Sequence, residues 1–210
     1  MSQSSFISID AIVFDLGGVL VDWNPRHLYR KIFASETEME DFLANVCSGP
    51  WNDAQDRGRP WAEAVKLLQA QHPAYWNEID AFHSRWEEML HGDLPETVQL
   101  LAQLRSEPVR LLALTNWSAE TFAIARRRFE FLQWFEGILV SGEEGMAKPD
   151  PEIFQLMASR HRLTPARTVF IDDAEKNVIA ARDQGWQAIH FTGADALRAE
   201  LRAKGLLTAR

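Results

Sequence analysis

Five short apolar runs, each closing on polar residues, constrain this chain to one kind of fold: AIVFD (11–15), VRLLALTN (109–116), GILVSG (137–142), TVFIDD (168–173) and QAIHF (187–191). Each is rich in β-branched or aromatic residues and too short for a helix, which predicts strands buried on both faces of a parallel sheet. The later runs are separated by segments with readable helix starts. Ser118 precedes AETFAIARRRF, Asp150-Pro151 leads into EIFQLMASRH, and Thr164-Pro165 repeats the device on a shorter scale. A capping oxygen, with proline in the first turn, suits a helix N-terminus. From residue 109 onward the alternation predicts βαβ units with right-handed crossovers and helices on both sheet faces.

The first and second runs are about 90 residues apart. PRHLYRKIF, TEMEDFLANVC, PWAEAVKLLQA and WNEIDAFHSRWEEML all read as helical, with no strand among them, and the polar, turn-rich NDAQDRGRP (52–60) separates two of these helices. The expected architecture is therefore α/β. A parallel-sheet core (1–22 and 92–210) carries an all-helical cap (23–91) inserted after the first strand and placed over the strand ends. The alternative is that the insertion merely extends the core.

Charge and cysteine content narrow the partners. A net charge of -8 disfavours nucleic acid and anionic membrane. The single basic cluster, Arg126-Arg127-Arg128, reads as a solvated helix face. No segment approaches the roughly 20 apolar residues of a membrane span. MSQSSFISID lacks the basic start and apolar stretch of a secretory signal, and Cys47 is alone, so a soluble cytoplasmic protein, monomer or homodimer, is expected. Five of the eight tryptophans (Trp23, Trp51, Trp61, Trp76, Trp86) fall in the first 90 residues, where they line a pocket or pack a core.

Ligands of open parallel sheets bind beyond the carboxyl ends of the strands. Here those ends carry Asp15, Thr115-Asn116, Ser141-Gly142 and Asp172-Asp173, with Lys148 shortly after the third. Singly, each has a structural reading as a cap, a buried hydroxyl or a loop lysine. Together, three carboxylates, a hydroxyl, a carboxamide and an ammonium suit phosphoryl chemistry. Hard carboxylate oxygens hold Mg²⁺, while the lysine and the hydroxyl bind phosphoryl oxygens.

The ordered set FDLGGVL, LLALTN, AKPDPEIF and VFIDDAEKN resembles the four motifs of the haloacid dehalogenase (HAD) superfamily, and the resemblance covers essentially the whole chain. Within it the chain is similar to bacterial sugar-phosphate phosphatases of the α-D-glucose-1-phosphate phosphatase kind and to the N-terminal phosphatase domain of soluble epoxide hydrolases. The resemblance implies a HAD-like Rossmannoid core and a hydrolase acting on a small phosphorylated metabolite. Asp15 would attack phosphorus and form an aspartyl-phosphate. Mg²⁺ would be held by Asp15, the Gly17 carbonyl and Asp173, with Asp172 assisting as an alternative ligand. Thr115 would bind a phosphoryl oxygen with Asn116 beside it, and Lys148 would neutralise charge.

One departure stands out. The common family pattern has a second aspartate at Gly17, which protonates the leaving group and later activates water. Such help is worth roughly 10²–10⁴-fold. Three routes remain open: a proton from the inserted segment (Asp53, Asp56 or His27), a leaving group that needs none, or different chemistry. Different chemistry means 2-haloacid dehalogenation, for which family members carry SSN rather than acids at Asp172 and Asp173, or a non-catalytic binding protein. Substrate selection is expected from GPWNDAQDRGRPW (49–61), with Trp51 stacking on a ring and Arg57 or Arg59 meeting an anion or hydroxyl. Trp117 is placed at the junction of cap and core, and His91-Gly92 and Gly58 are candidate hinges.

Overall fold

In the computed structural model, which describes residues 8–208, β1 (Ala11–Phe14) lies at the centre of a five-stranded sheet. Residues 1–7 and 209–210, assigned above to the core, fall outside the described residues. The order is β5 (Gly137–Val140), β4 (Arg110–Thr115), β1, β6 (Thr168–Asp172), β7 (Gln187–His190), and every neighbouring pair is parallel. All five expected strands are present. Each stops one or two residues short of the end of its run, and after β1, β4 and β6 the residues that follow turn out of the sheet toward the site.

Alternation along β1 explains why the runs are continuously apolar. Ile12 and Phe14 join the cluster on one face with Leu100, Leu101, Leu104, Phe122, Leu197 and Leu201. Ala11 and Val13 join Ile153, Phe154, Met157 and Trp186 on the other. Both faces are covered by helices, so neither set of side chains meets water. The covering helices are α6 (Pro95–Leu104), α7 (Ala119–Arg128), the short α8 (Ser141–Glu144), α9 (Pro151–His161), α10 (Glu175–Asp183) and α11 (Ala194–Ala203). Full burial of one such aliphatic or aromatic side chain contributes about 1.5–3 kcal/mol.

The inserted segment is helical: α1 (Arg26–Tyr29), α2 (Glu36–Asn45), α3 (Gly49–Asp56), α4 (Trp61–Gln71) and α5 (Trp76–Ser84). Two expectations need correction. First, NDAQDRGRP is not all turn, since its first half belongs to α3. The start signal lay upstream, where the Ser48 hydroxyl accepts from the Trp51 N–H at 3.4 Å and Pro50 occupies the first turn. Second, the segment is not free of strands. β2 (Val21–Trp23) and β3 (Leu90–Asp93) pair antiparallel where the chain leaves and re-enters the core. Both were too short and too polar to read as strands, and His91-Gly92, expected as a hinge, lies inside β3.

Tyr29, Phe42, Trp61 and Phe82 of the insertion belong to the same apolar cluster as Phe14 and Leu16 of the core. Ser118 and Asp150 precede their helices as expected, but neither side chain caps. Each is spent on the insertion instead. The Trp61 indole donates to Ser118 Oγ at 3.0 Å, and the Arg57 guanidinium pairs with Asp150.

Cys47 sits in this cluster, and burial pushes its thiol up to about 12. The thiolate is the reactive form. An aromatic disulfide reagent is therefore expected to leave the native protein unlabelled over the time in which the denatured chain takes up one equivalent, as followed by absorbance.

Candidate active site

The register of the sheet brings the site together. Phe14 is level with Ala113 on β4 and with Ile171 on β6, so Asp15 and Asp172 stand one residue past these rungs and Thr115 two residues past, all at the same end of the sheet. The Asp15 N–H continues the ladder to the Ile171 carbonyl at 2.8 Å, and its Oδ1 accepts from the Leu16 N–H at 2.7 Å.

Lys148 reaches into this cluster with its side chain fully buried. Its ammonium lies 2.9 Å from Asp15 Oδ1 and 2.7 Å from Asp172 Oδ2, and donates to the Leu114 carbonyl at 3.0 Å. All three of its protons therefore have partners. Burial opposes the charge, but the two carboxylates outweigh it and raise the Lys148 pKa. Asn116 fixes the backbone that carries this lysine, its amide accepting from the Lys148 N–H and donating to the Lys148 carbonyl, both at 2.9 Å. Asn116 thus spends its amide on the lysine loop.

Asp172 is committed to the scaffold as well. Its oxygens accept from Lys148, from the Ala174 N–H at 2.8 Å and from the Asn177 amide at 3.0 and 3.1 Å. Asn177 stands in the VFIDDAEKN stretch, but an asparagine five residues past an acid gave no signal of this role. Asp173 differs in that its carboxylate is exposed. It approaches the backbone of Gly18 so closely that a β-carbon there would lie 2.5 Å from Asp173 Oδ2, and Gly18 has φ +71. Only glycine meets both conditions without strain. One oxygen each from Asp15, Asp172 and Asp173 lie within 4.8 Å of one another.

The charges do not balance. Three carboxylates face one ammonium. Burial first, then Asp172 and Asp173, push Asp15 up to about 8 against the pull of Lys148. Burial and Asp172 also raise Asp173. An oxygen-only donor set with excess negative charge fits a hard divalent cation. In the adjoining turn the N–H groups of Val19, Leu20 and Val21 all donate to the Leu16 carbonyl rather than to that of Gly17. The hydroxyl of Thr115 is buried with no partner among the described residues. A buried polar group of this kind calls for a ligand.

Above this cluster lies a cavity of about 70 Å³ lined by Gly17, Trp23, Asn52, Asp56, Trp86, Asn116, Trp117 and Thr121. The indoles of Trp23 and Trp117 and the Thr121 hydroxyl carry buried polar atoms with no partner among the described residues. Trp117 is thus at the junction of insertion and core, as expected. Trp23 and Trp86 are among the tryptophans expected to line a pocket or pack a core, and Asn52 belongs to the 49–61 segment; Thr121 was not singled out, because only the tertiary fold brings it to this place. Trp51 and Arg57 are not among the lining residues. Trp51 packs edge-on against Trp61 and Phe82, and Arg57 is held by Asp150. Arg59 bonds Gln55 and the Trp51 carbonyl.

Residues 9–185 match the family model of the haloacid dehalogenase-like hydrolases. The chain is 31 % identical to a sesquiterpene phosphatase of Aspergillus oryzae, over 91 % of this chain and 94 % of that protein. It is 24 % identical to a phosphorylated carbohydrates phosphatase of Thermotoga maritima, over 87 % of this chain and 84 % of the relative. A HAD-family enzyme of Bacteroides thetaiotaomicron, crystallised with magnesium and inorganic phosphate, superposes with a TM-score of 0.65 at 26 % identity, covering 87 % of this chain and 93 % of that one.

Replacing Lys148 by methionine keeps the volume and strands the buried carboxylates, an uncompensated-charge defect of about 3 kcal/mol. Urea denaturation of Lys148→Met is expected to show a loss of that order at unchanged m-value. Adding Asp172→Asn should recover part of it.

Proposed function

Because the chain belongs to the haloacid dehalogenase-like hydrolase family, we propose that it is a magnesium-dependent phosphatase acting on small phosphate monoesters, sugar phosphates among them, through an aspartyl-phosphate on Asp15. The observation that carries this reading is the convergence at one end of the sheet of Asp15, the buried Lys148 ammonium, the unpartnered Thr115 hydroxyl and the accessible Asp173. The phosphatase relatives point the same way.

The Asp15 carboxylate is the nucleophile. Its Oδ1 is tied to Lys148 and the Leu16 N–H, which fixes the plane of the group and leaves Oδ2 for attack at phosphorus. Lys148 offsets the charge that builds as nucleophile and phosphoryl oxygens approach. Thr115 donates its hydroxyl to a phosphoryl oxygen. Asp172 acts through Lys148, holding it in place rather than meeting substrate. Asp15, Asp173 and the Gly17 carbonyl would hold magnesium. When bound, the ion supplies divalent charge that neutralises the carboxylates and polarises a phosphoryl oxygen. Carbon–halogen chemistry needs no such charge, so the acids at 172 and 173 favour phosphate over a haloacid.

The helical insertion, 23–91, is read as a cap domain over a core of 1–22 and 92–210, since its aromatic residues wall the cavity above the nucleophile. The unpartnered polar atoms of Trp23, Trp117 and Thr121 favour an oxygen-rich leaving group such as a sugar over a bare hydrocarbon.

With p-nitrophenyl phosphate and sugar phosphates, phosphate release is expected to require Mg²⁺ and to disappear on chelation. Asp15→Asn should lose at least ~10³-fold in kcat while keeping its melting temperature within a few degrees. Release that is indifferent to metal, or to the loss of Asp15, contradicts the reading.

A further inference from the structure

The geometry points to Asp56, on the helical insertion, as the residue that protonates the leaving group and then activates water, replacing the carboxylate that Gly17 lacks. This rests on the phosphatase reading above and assigns a catalytic residue that the family's sequence pattern does not provide.

Position is the first argument. Asp56 is the last residue of α3 and lines the same cavity as Gly17, so it faces the place where an ester oxygen would leave. The other two candidates in the insertion do not. Asp53 is exposed and borders a different groove, with Arg26 and Glu40. The His27 imidazole pairs with Asp22 at 3.1 Å and stacks on His91, away from this cavity.

Rigid placement is the second argument. A group donating a proton in the transition state must be held to within a fraction of an ångström. The end of α3 is fastened to the core at successive residues. Ser141 Oγ donates to the Asp56 carbonyl at 2.5 Å, Arg57 pairs with Asp150, and a few residues on the Trp61 N–H and indole reach Glu120 and Ser118 at 3.0 Å. The Asp56 carboxylate accepts from the Asn52 amide at 3.1 Å. Ser118 thus gives up its expected capping duty on its own helix and serves the contact between insertion and core.

Protonation is the third. Burial, reinforced by Asp53, pushes the Asp56 carboxyl up to about 7, while the Ser118 N–H and the more distant Lys148 oppose. Both forms are therefore accessible near neutrality, which a group that gives and later takes a proton requires.

The steps balance. As Asp15 Oδ2 bonds to phosphorus, the bond from phosphorus to the ester oxygen breaks and its electron pair stays on that oxygen, which takes the proton of Asp56. The alcohol leaves and Asp56 is a carboxylate. That carboxylate accepts a proton from water as the water oxygen attacks the phosphoryl group. The phosphorus–Asp15 bond breaks with its pair returning to Asp15, giving inorganic phosphate and restoring protonated Asp56.

The test is kcat/KM, with Mg²⁺, for 2,4-dinitrophenyl phosphate, whose phenolate leaves unaided, and for glycerol 1-phosphate, whose alkoxide does not. Asp56→Asn is expected to lose roughly 10²–10³-fold on the alkyl ester and under tenfold on the aryl ester. Gly17→Asp in that background should restore much of the alkyl activity. A β-carbon at Gly17 meets nothing within 4 Å, so the new side chain has room. Equal losses on both esters, or none, overturn the assignment. Should Asp56→Asn fail to fold, the wild-type protein decides alone. A shallow dependence of kcat/KM on leaving-group pKa across a series of esters is expected, and a steep one overturns the assignment. A wild type that releases phosphate from neither ester contradicts the phosphatase reading itself, and the role of Asp56 falls with it.

Discussion

The buried ammonium of Lys148 organises this molecule's functional end. Its three protons reach Asp15 just past the end of β1, Asp172 on β6 and the Leu114 carbonyl on β4, so one side chain ties together three adjacent strands. A charge at this depth is tolerable only because its partners are matched in number and geometry. The surrounding polar residues exist in relation to it. Asn116 locks its backbone, Asn177 and the Ala174 N–H hold Asp172 in place to receive it, and Leu16 fixes the other side of Asp15. The result is a rigid bay with a surplus of negative charge, open at Asp173.

The insertion completes this bay. Its aromatic core is continuous with the core of the sheet domain, and it is joined by a two-stranded ribbon at the base and by polar fastenings at the far end of α3. On the proposed reading it would exclude water from the reacting phosphate and bring its own carboxylate to the point of bond breaking. On the same reading, proton transfer lies with Asp56 of this segment, in place of the acid that Gly17 lacks.

Much of this was legible in the residues. The five strands were readable because burial on both faces leaves continuous apolar runs; the polar residues ending them named Asp15, Thr115, Asp172 and Asp173, and Lys148 was read from the loop shortly after the third. What those residues do to one another was not legible. Asp172 and Asp173 are identical neighbours in sequence. Yet one is wholly buried and bonded to Lys148, Asn177 and Ala174, while the other is accessible beside Gly18, a distinction made by the turn after β6. Trp51 and Arg57 had the composition of a binding loop and were drawn instead into core packing and an anchoring ion pair. Trp23, Trp86 and Thr121 come from three distant stretches with no periodicity in common, and only the docking of insertion on core makes them one wall. The ribbon of β2 and β3 escaped for a related reason, because short polar strands owe their pairing to chain geometry rather than to propensity.

The claim most exposed to experiment is that the surplus of carboxylate over ammonium at this end of the sheet makes a site for a single divalent cation, held by Asp15 and Asp173. Isothermal titration of chelator-treated protein with MgCl₂, without substrate, measures it directly. The account predicts one saturable site per chain that is lost in Asp173→Asn. Absence of saturable binding in the wild-type protein, or binding undiminished by that substitution, would contradict it.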